Sequence, residues 1–309
     1  MKSNRNTLFT TTLRRTISGL MFWGLALGIQ AQDTNLNFQA VQAAAAKGEA
    51  KAQYELARCY ARGIGVEKDD AKAAQYLRQS ADQGNAEAQI VLGAFYGEGR
   101  GVPQDLTNAV ACYRKAADQG NATAQYAMGN FYADGRGVTN DMDMAIQWWQ
   151  KAAEGNLAEA QATLGEVRLI PVAVYGNKYV DHAEALRWLH RAATQGSAPA
   201  MNNLGAAYEN GLGVKLDFKE AARWYRAAAE QGNALAQANL GQLYFDGRGV
   251  PYDLMQAYKW FKLSANQGNS LGIVGFNNFK VFPLLSSNQT AQAEQMVLDF
   301  QSRPTKSQP

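Results

Sequence analysis

The sequence predicts an all-α chain: a solenoid of six to seven helix-turn-helix repeats of about 36 residues, closed by a C-terminal capping helix. Three observations predict it. Gln53, Gln89, Gln125 and Gln161 are spaced by 36 residues each, and the series continues at Met201, 40 on, and Gln237, 36 on again. Four residues after each stands a small residue: Ala57, Gly93, Gly129, Gly165, Gly205 and Gly241. Within one period the apolar residues recur at steps of three and four. Ala88, Leu92, Phe95 and Tyr96 do so first, then Ala109, Cys112, Tyr113 and Ala116, which makes two amphipathic helices per repeat.

The chain begins with a segment that reads as an address. Residues 1–15 carry Lys2, Arg5, Arg14 and Arg15 and no acid, and Ile17 to Ile29 is apolar. A positive head, an apolar run of about 13 residues and a small residue at its exit predict a secretory signal peptide, residues 1–31, cleaved after Ala31. The alternative is an uncleaved N-terminal anchor. Arg14-Arg15 raises a twin-arginine route, but the flanking residues fit that motif poorly. A lead-in helix is expected in 32–47. No later apolar run reaches 18 residues, so no stable membrane insertion is expected after cleavage.

The six full repeats are then 48–83, 84–119, 120–155, 156–195, 196–231 and 232–267, with a four-residue insertion in the fourth. Gly84 follows the last periodic residue of one helix, where a left-handed cap is wanted, and Asn85 follows as an N-cap. Asn121, Ser197, Asn233 and Asn269 repeat that choice. The turn inside five of the six repeats is a Gly-x-Gly, at Gly63/Gly65, Gly99/Gly101, Gly135/Gly137, Gly211/Gly213 and Gly247/Gly249. Asp69, Asp105, Asp141, Asp181, Asp217 and Asp253 should then N-cap the second helix. Glu184, Glu220 and Gln256, three residues further on, predict capping boxes. A partial copy starts at Gly268, so 268–309 is expected to hold that copy, the cap and a tail.

These motifs resemble the Sel-1-like repeat family, a subclass of tetratricopeptide-like α-solenoids. The Ala-x-Ala-Gln-x-x-Leu-Gly-x-x-Tyr run, the Gly-x-Gly-Val turn and the Asp-x-x-x-Ala-x-x-Trp second helix carry the resemblance, with Trp148, Trp188, Trp224 and Trp260 in the last position. The likeness spans roughly residues 40–300. It implies a right-handed solenoid, a polar capping helix at Ser287 to Glu294, and a scaffold that binds other proteins on its concave side.

The fourth repeat departs from the pattern. It lacks the Gly-x-Gly-Val turn, has Arg168 where Tyr is expected, and lengthens the loop from Leu169 to Tyr179. It reads as a drifted repeat or as a specialised, ordered loop that touches the partner.

Chemistry-bearing constellations are sparse. Outside residues 1–31, 26 basic residues face 27 acidic ones, a net of −1, so nucleic acid is not an expected partner. His182 and His190, the two histidines, lie eight residues apart on one helix, about 12 Å, too far to share a metal. Gly268-x-Ser270-x-Gly272 matches a nucleophile elbow in letters, but that motif needs a strand before it and here falls between helices. Cys59 and Cys112 occupy positions that other repeats fill with apolar residues, on different helices, so both are expected as free core thiols. Asn121-Ala-Thr123 and Asn288-Gln-Thr290 are sequons, meaningful only in a eukaryotic secretory path. No catalytic, cofactor-binding or metal residue is assigned, and no cofactor is expected.

Positions 4, 7, 11 and 14 of the first helices vary, and their spacing puts them on one face away from the buried Leu and Tyr. They are Tyr54, Arg58, Ile90, Tyr126, Asn130, Glu166, Asn202, Glu209, Gln242 and Phe245. Aromatic, amide and charged groups together suit a protein ligand, although Ile90 and Phe245 also suit packing between helices. The chain is therefore expected to be an exported, non-enzymatic binding protein with a periplasmic protein partner, an adaptor or regulator of envelope processes. The resemblance adds a second role, an immunity protein that blocks a secreted toxin such as a phospholipase. A hydrolase of cell-wall peptides or β-lactams is a third reading, but no nucleophile–base pair supports it.

Overall fold

The computed structural model describes residues 38–171, 176–281 and 284–302. The predicted signal peptide lies outside them, as do the start of the lead-in, residues 172–175 of the fourth-repeat loop and the tail after Ser302. All regular secondary structure among the described residues is helical: fifteen α-helices and no strands. The chain divides into two compact units, one running to Ala160 and the other from Gln161.

The first unit holds α1 (Phe38–Ala46), α2 (Ala50–Arg62), α3 (Asp70–Asp82), α4 (Ala86–Glu98), α5 (Leu106–Asp118), α6 (Ala122–Asp134) and α7 (Met142–Glu154), each packed on the next. Helix α8 (Ala158–Leu169) starts in it and belongs mostly to the second. The second unit continues with α9 (His182–Thr194), α10 (Ala198–Asn210), α11 (Phe218–Glu230), α12 (Ala234–Asp246) and α13 (Leu254–Asn266). It ends with α14 (Ser270–Val281), the first helix of the partial repeat, and α15 (Ser287–Gln301), which packs on α13.

The two helices of a repeat approach closely because the first carries glycine at the contact. A Cβ on Gly93 would stand 2.8 Å from the Tyr113 ring, and one on Gly205 would stand 2.5 Å from Tyr225. Apolar side chains fill the space between the paired helices of each unit. Leu56, Leu77 and Phe95 are buried in the first unit, and Leu204, Tyr225, Leu240 and Leu243 in the second. Burying each such side chain contributes about 1.5–3 kcal/mol.

The repeated glutamine has a physical reason. Gln89 is 3% exposed, and its amide is satisfied on both sides. Its Nε2 donates to the carbonyl of Ala81 in the preceding repeat at 3.1 Å, and its Oε1 accepts from Gln119 Nε2 at 2.8 Å. Gln237 does the same with Ala229 and Gln267. Gln83 donates to Gln53, and Gln195 to Gln161. Where Met201 takes the position, Gln231 Nε2 finds only a thioether sulfur at 3.4 Å, a weak acceptor. A second set of bonds links successive repeats through Arg78 to the hydroxyl of Tyr96, Arg114 to Tyr132 and Arg226 to Tyr244.

The junctions follow the sequence with two exceptions. Asn85, Asn121, Ser197, Asn233 and Asn269 each accept from the backbone N–H three residues on. At the fourth junction Asn156 itself takes the left-handed position, φ +63°, and Leu157 stands where the capping amide would be. At the first, Glu49 makes no side-chain cap. All six aspartates cap their second helices. The capping boxes expected from Glu184, Glu220 and Gln256 are not completed. The N–H groups of Asp181, Asp217 and Asp253 donate instead to the carbonyls of Arg168, Tyr208 and Tyr244 in the first helix of the same repeat. Glu184 pairs with Arg168 at 2.8 Å and Glu220 with Arg223 at 2.9 Å. A complete capping box does form at Ser286 and Gln289, starting the capping helix α15.

In the fourth repeat Arg168 replaces the repeated tyrosine with a different clasp. Its guanidinium meets Glu184, at the start of the second helix, and the carbonyl of Tyr179. Leu169 and Tyr179, at the two ends of the described loop, are buried. Both cysteines are free. Cys59 is fully buried, as expected. Cys112 is not a core thiol: it is half-buried at the edge of the first unit's apolar cluster, as Tyr76 and Trp224 are at the same repeat position, which lies at the rim of the apolar packing.

Candidate protein-interaction surface

The ten first-helix positions divide by accessibility. Four are closed: Ile90, Tyr126, Asn130 and Asn202 are all below a tenth exposed. Ile90 packs with Val110 and Tyr113 in the core. The other six are half-buried and reach solvent.

In the first unit the accessible pair is Tyr54 and Arg58. The Arg58 guanidinium lies 5.9 Å from the Tyr54 ring centre and bonds Glu55 at 2.7 Å. Burial, with the charges of Glu55 and Glu87, pushes the Tyr54 hydroxyl up to about 12. This is a rigid aromatic and cationic platform of the kind enriched at binding hot spots.

In the second unit the accessible residues are Glu166, Glu209, Gln242 and Phe245. Glu209 accepts from the Tyr225 hydroxyl at 2.8 Å and meets Arg248 at 3.5 Å. Gln242 bonds Asp246, and Phe245 stands edge-on to Phe279, 6.1 Å between centres. An amide chain crosses three successive first helices. Asn239 Nδ2 donates to Asn202 Oδ1 at 3.1 Å, Asn202 Nδ2 to Asn203 Oδ1 at 3.4 Å, and the Asn203 side chain bonds Glu166. Sequence reasoning missed Asn203 and Asn239. The signal was there: their position carries Val91 and Ala127 in the second and third repeats.

Glu166 has an unusual carboxyl. Burial raises it to about 7, and the Asn203 hydrogen bond offsets only part of that. The sign is that of an acid raised by folding. The native state holds its proton above the unfolded value of about 4.3, so stability falls as pH rises from about 4.3 to 7. Glu166→Gln should therefore leave stability at pH 4 nearly unchanged and raise it at pH 8 by about 1–3 kcal/mol. Urea midpoints of both proteins at the two pH values check this.

Asn130 requires a correction. On register alone its side chain faces only the groove. In the structure it is 8% exposed, and its Oδ1 accepts from the indole N–H of the fully buried Trp149 at 3.0 Å. The third repeat alone sets an amide opposite a tryptophan, and an indole N–H in the core needs an acceptor. Asn130→Ala should cost about 1–3 kcal/mol by leaving that donor unsatisfied. A thermal melt followed by tryptophan fluorescence reads the loss.

The histidines stand apart in environment as well as sequence: His190 lies edge-on to Trp224, 5.7 Å between centres, while His182 opens α9. Ser270 opens α14 directly after the capping Asn269, with helices on both sides. Among the described residues no group of three His, Cys, Asp or Glu side chains could hold a metal. No described helix is long and apolar enough to cross a membrane.

The Sel1 repeat family model matches residues 50–85, 86–121, 122–157, 174–197, 198–233 and 234–269. The chain belongs to the Sel1 repeat family. The fourth Sel1 match covers the second half of its repeat only and leaves out the first, from which the turn and the repeated tyrosine are lost. The chain is similar to the solved structure of c5321, a protective antigen present in uropathogenic Escherichia coli strains displaying an SLR fold. The two are 36% identical with a TM-score of 0.77, over 91% of this chain and 58% of that one. This chain thus spans just over half the length of c5321. It is also similar to a Sel1 repeat protein from Oxalobacter formigenes, 30% identical with a TM-score of 0.68, over 84% of this chain and 98% of that one. A third likeness is to the immunity protein Pa5087 of Pseudomonas aeruginosa, at 22% identity and a TM-score of 0.41, over 77% of this chain and 88% of that one. A search of the curated proteins finds no match. Sel1 repeats are a protein-interaction fold, generally non-catalytic.

Proposed function

We propose that the chain is an exported, non-enzymatic Sel1 scaffold that holds a periplasmic protein partner on its first-helix faces, as an adaptor or regulator of envelope processes. The observation that carries the reading is how the polar side chains are spent. The repeated Gln, Asp and Arg–Tyr groups are engaged in holding the frame together, within and between repeats, whereas Tyr54 with Arg58, and Glu166, Gln242 and Phe245, differ from repeat to repeat and reach solvent. A surface that varies on a constant frame is where a solenoid specifies its ligand. Export rests on the leader-like residues 1–31.

The test expresses the chain with its own leader, crosslinks in the periplasm and identifies co-purified proteins by mass spectrometry. One stoichiometric partner is expected. Arg58→Glu should weaken it about 30-fold or more, the scale of an interface hot spot, while Arg78→Ala on the repeat-linking side should not. Equal loss from both variants, or retention by both, would sink the surface assignment. A captured envelope protein supports the adaptor role, and a secreted toxin would replace it with immunity.

A further inference from the structure

The last repeat breaks the Arg–Tyr rule. Lys262 occupies the position of Arg78, Arg114 and Arg226, but the residue eighteen further on is not a tyrosine. Lys262 turns instead to Glu294 of the capping helix, and the Tyr258 hydroxyl donates to the same carboxylate oxygen, Oε1. The other oxygen, Oε2, has no hydrogen-bond partner among the described residues. Glu294, Lys262 and Tyr258 also line a cleft of about 400 Å³ between α13, α14 and α15, within the size range of small-ligand sites. Its walls are aromatic: Tyr258 stands edge-on to Phe276 at 5.2 Å and to Phe279 at 5.4 Å. Lys262 Nζ lies 5.5 Å from the Phe276 ring and 5.8 Å from the Tyr258 ring, so a cation already sits at these rings.

We propose that this cleft is a receptor for a guanidinium group, with Glu294 Oε2 as its acceptor, Phe276 and Phe279 as its stacking walls, and Lys262 as an internal competitor. Burial pushes the Glu294 carboxyl up, but the Lys262 and Tyr258 hydrogen bonds and the Lys262 charge outweigh it, so the acceptor stays ionised. Guanidinium fits better than ammonium. It is planar and weakly hydrated, stacks on a ring, and bonds a carboxylate through its edge. The source is an arginine side chain of a polypeptide or a free basic amino acid, which share this chemistry.

The decisive experiment is calorimetric titration of the full chain with N-acetyl-arginine-amide, its neutral isostere N-acetyl-citrulline-amide, and free arginine. The arginine amide should bind at least tenfold more tightly than the citrulline amide. Lys262→Met should bind it about 2–5-fold more tightly than the native chain, because a partly exposed ion pair no longer competes for Glu294. Glu294→Gln should abolish binding at an unchanged thermal midpoint. Were the ion pair only a clamp for α15, removing Lys262 would weaken binding or leave none to measure, and that outcome overturns the proposal. So does citrulline binding equal to arginine. Preference for the amide assigns the source to a polypeptide side chain, and preference for free arginine assigns it to a small molecule. Arg58→Glu, which tests the first-helix face, should leave this titration unchanged.

Discussion

Gly129→Val should destabilise the chain by about 3 kcal/mol. A Cβ at that position would stand 2.3 Å from Trp149 Cδ1 and 2.4 Å from Nε1, far inside contact distance. The indole is fully buried and has nowhere to retreat. Overpacking alone costs about 1–3 kcal/mol. Moving the ring also breaks its bond to Asn130, adding about 1 kcal/mol. Valine recovers a few tenths through better helix propensity than glycine, which does not reverse the sign. Urea unfolding followed by tryptophan emission gives the number. A native midpoint would mean that α6 and α7 do not approach this closely in solution.

The second large effect is expected at Gly101, the last glycine of a Gly-x-Gly turn. Its φ is +62°, so an L-residue there is strained by about 1–2 kcal/mol. Its neighbours add more. A Cβ would meet the Asp70 carbonyl oxygen at 2.0 Å and carbon at 2.3 Å, backbone atoms at the start of α3 in the preceding repeat. Unlike a flexible side chain, they cannot turn aside. The Arg100–Asp70 ion pair, 2.8 Å, spans the same contact. Gly101→Ala should cost about 3 kcal/mol or more. Gly84 is the control: its φ is +89°, yet nothing lies within 4 Å of a Cβ there. Gly84→Ala should therefore cost only about 1–2 kcal/mol. The difference between their urea midpoints isolates the contact between repeats from the strain that both share. Equal losses would refute the idea that the turn is a packing surface.

Much of the framework was legible because it is periodic. The glutamine series, the aspartate caps and the close-contact glycines each recur, and the same local environment selects the same residue every time. What escaped depends on contacts between helices. Asn130 looked like a groove residue because its register is a groove register, and only the partner Trp149, nineteen residues away, makes it structural. The capping boxes failed for a related reason: the aspartate N–H was already claimed by a carbonyl in the first helix, a tertiary bond that local spacing does not reveal. On the candidate surface, the first-helix face was legible as a stripe. Its depth was not, so Ile90, Tyr126 and Asn202 are closed while Glu166 and Phe245 stay open. The cleft at Glu294 had no sequence signal, because it needs α15 to fold back onto α13.

The bonds that join repeats carry an evolutionary consequence. The glutamine amides reach a carbonyl eight residues back, in the preceding repeat, and the arginines reach a tyrosine eighteen residues on, in the following one, with both partners drawn from the same recurring set. Excise one whole period, such as 84–119, and the flanking segments meet with the same donors facing the same acceptors. A period of that kind can therefore be gained or lost whole, by unequal crossing-over, without orphaning these bonds. Selection then acts on what each added copy displays to a partner.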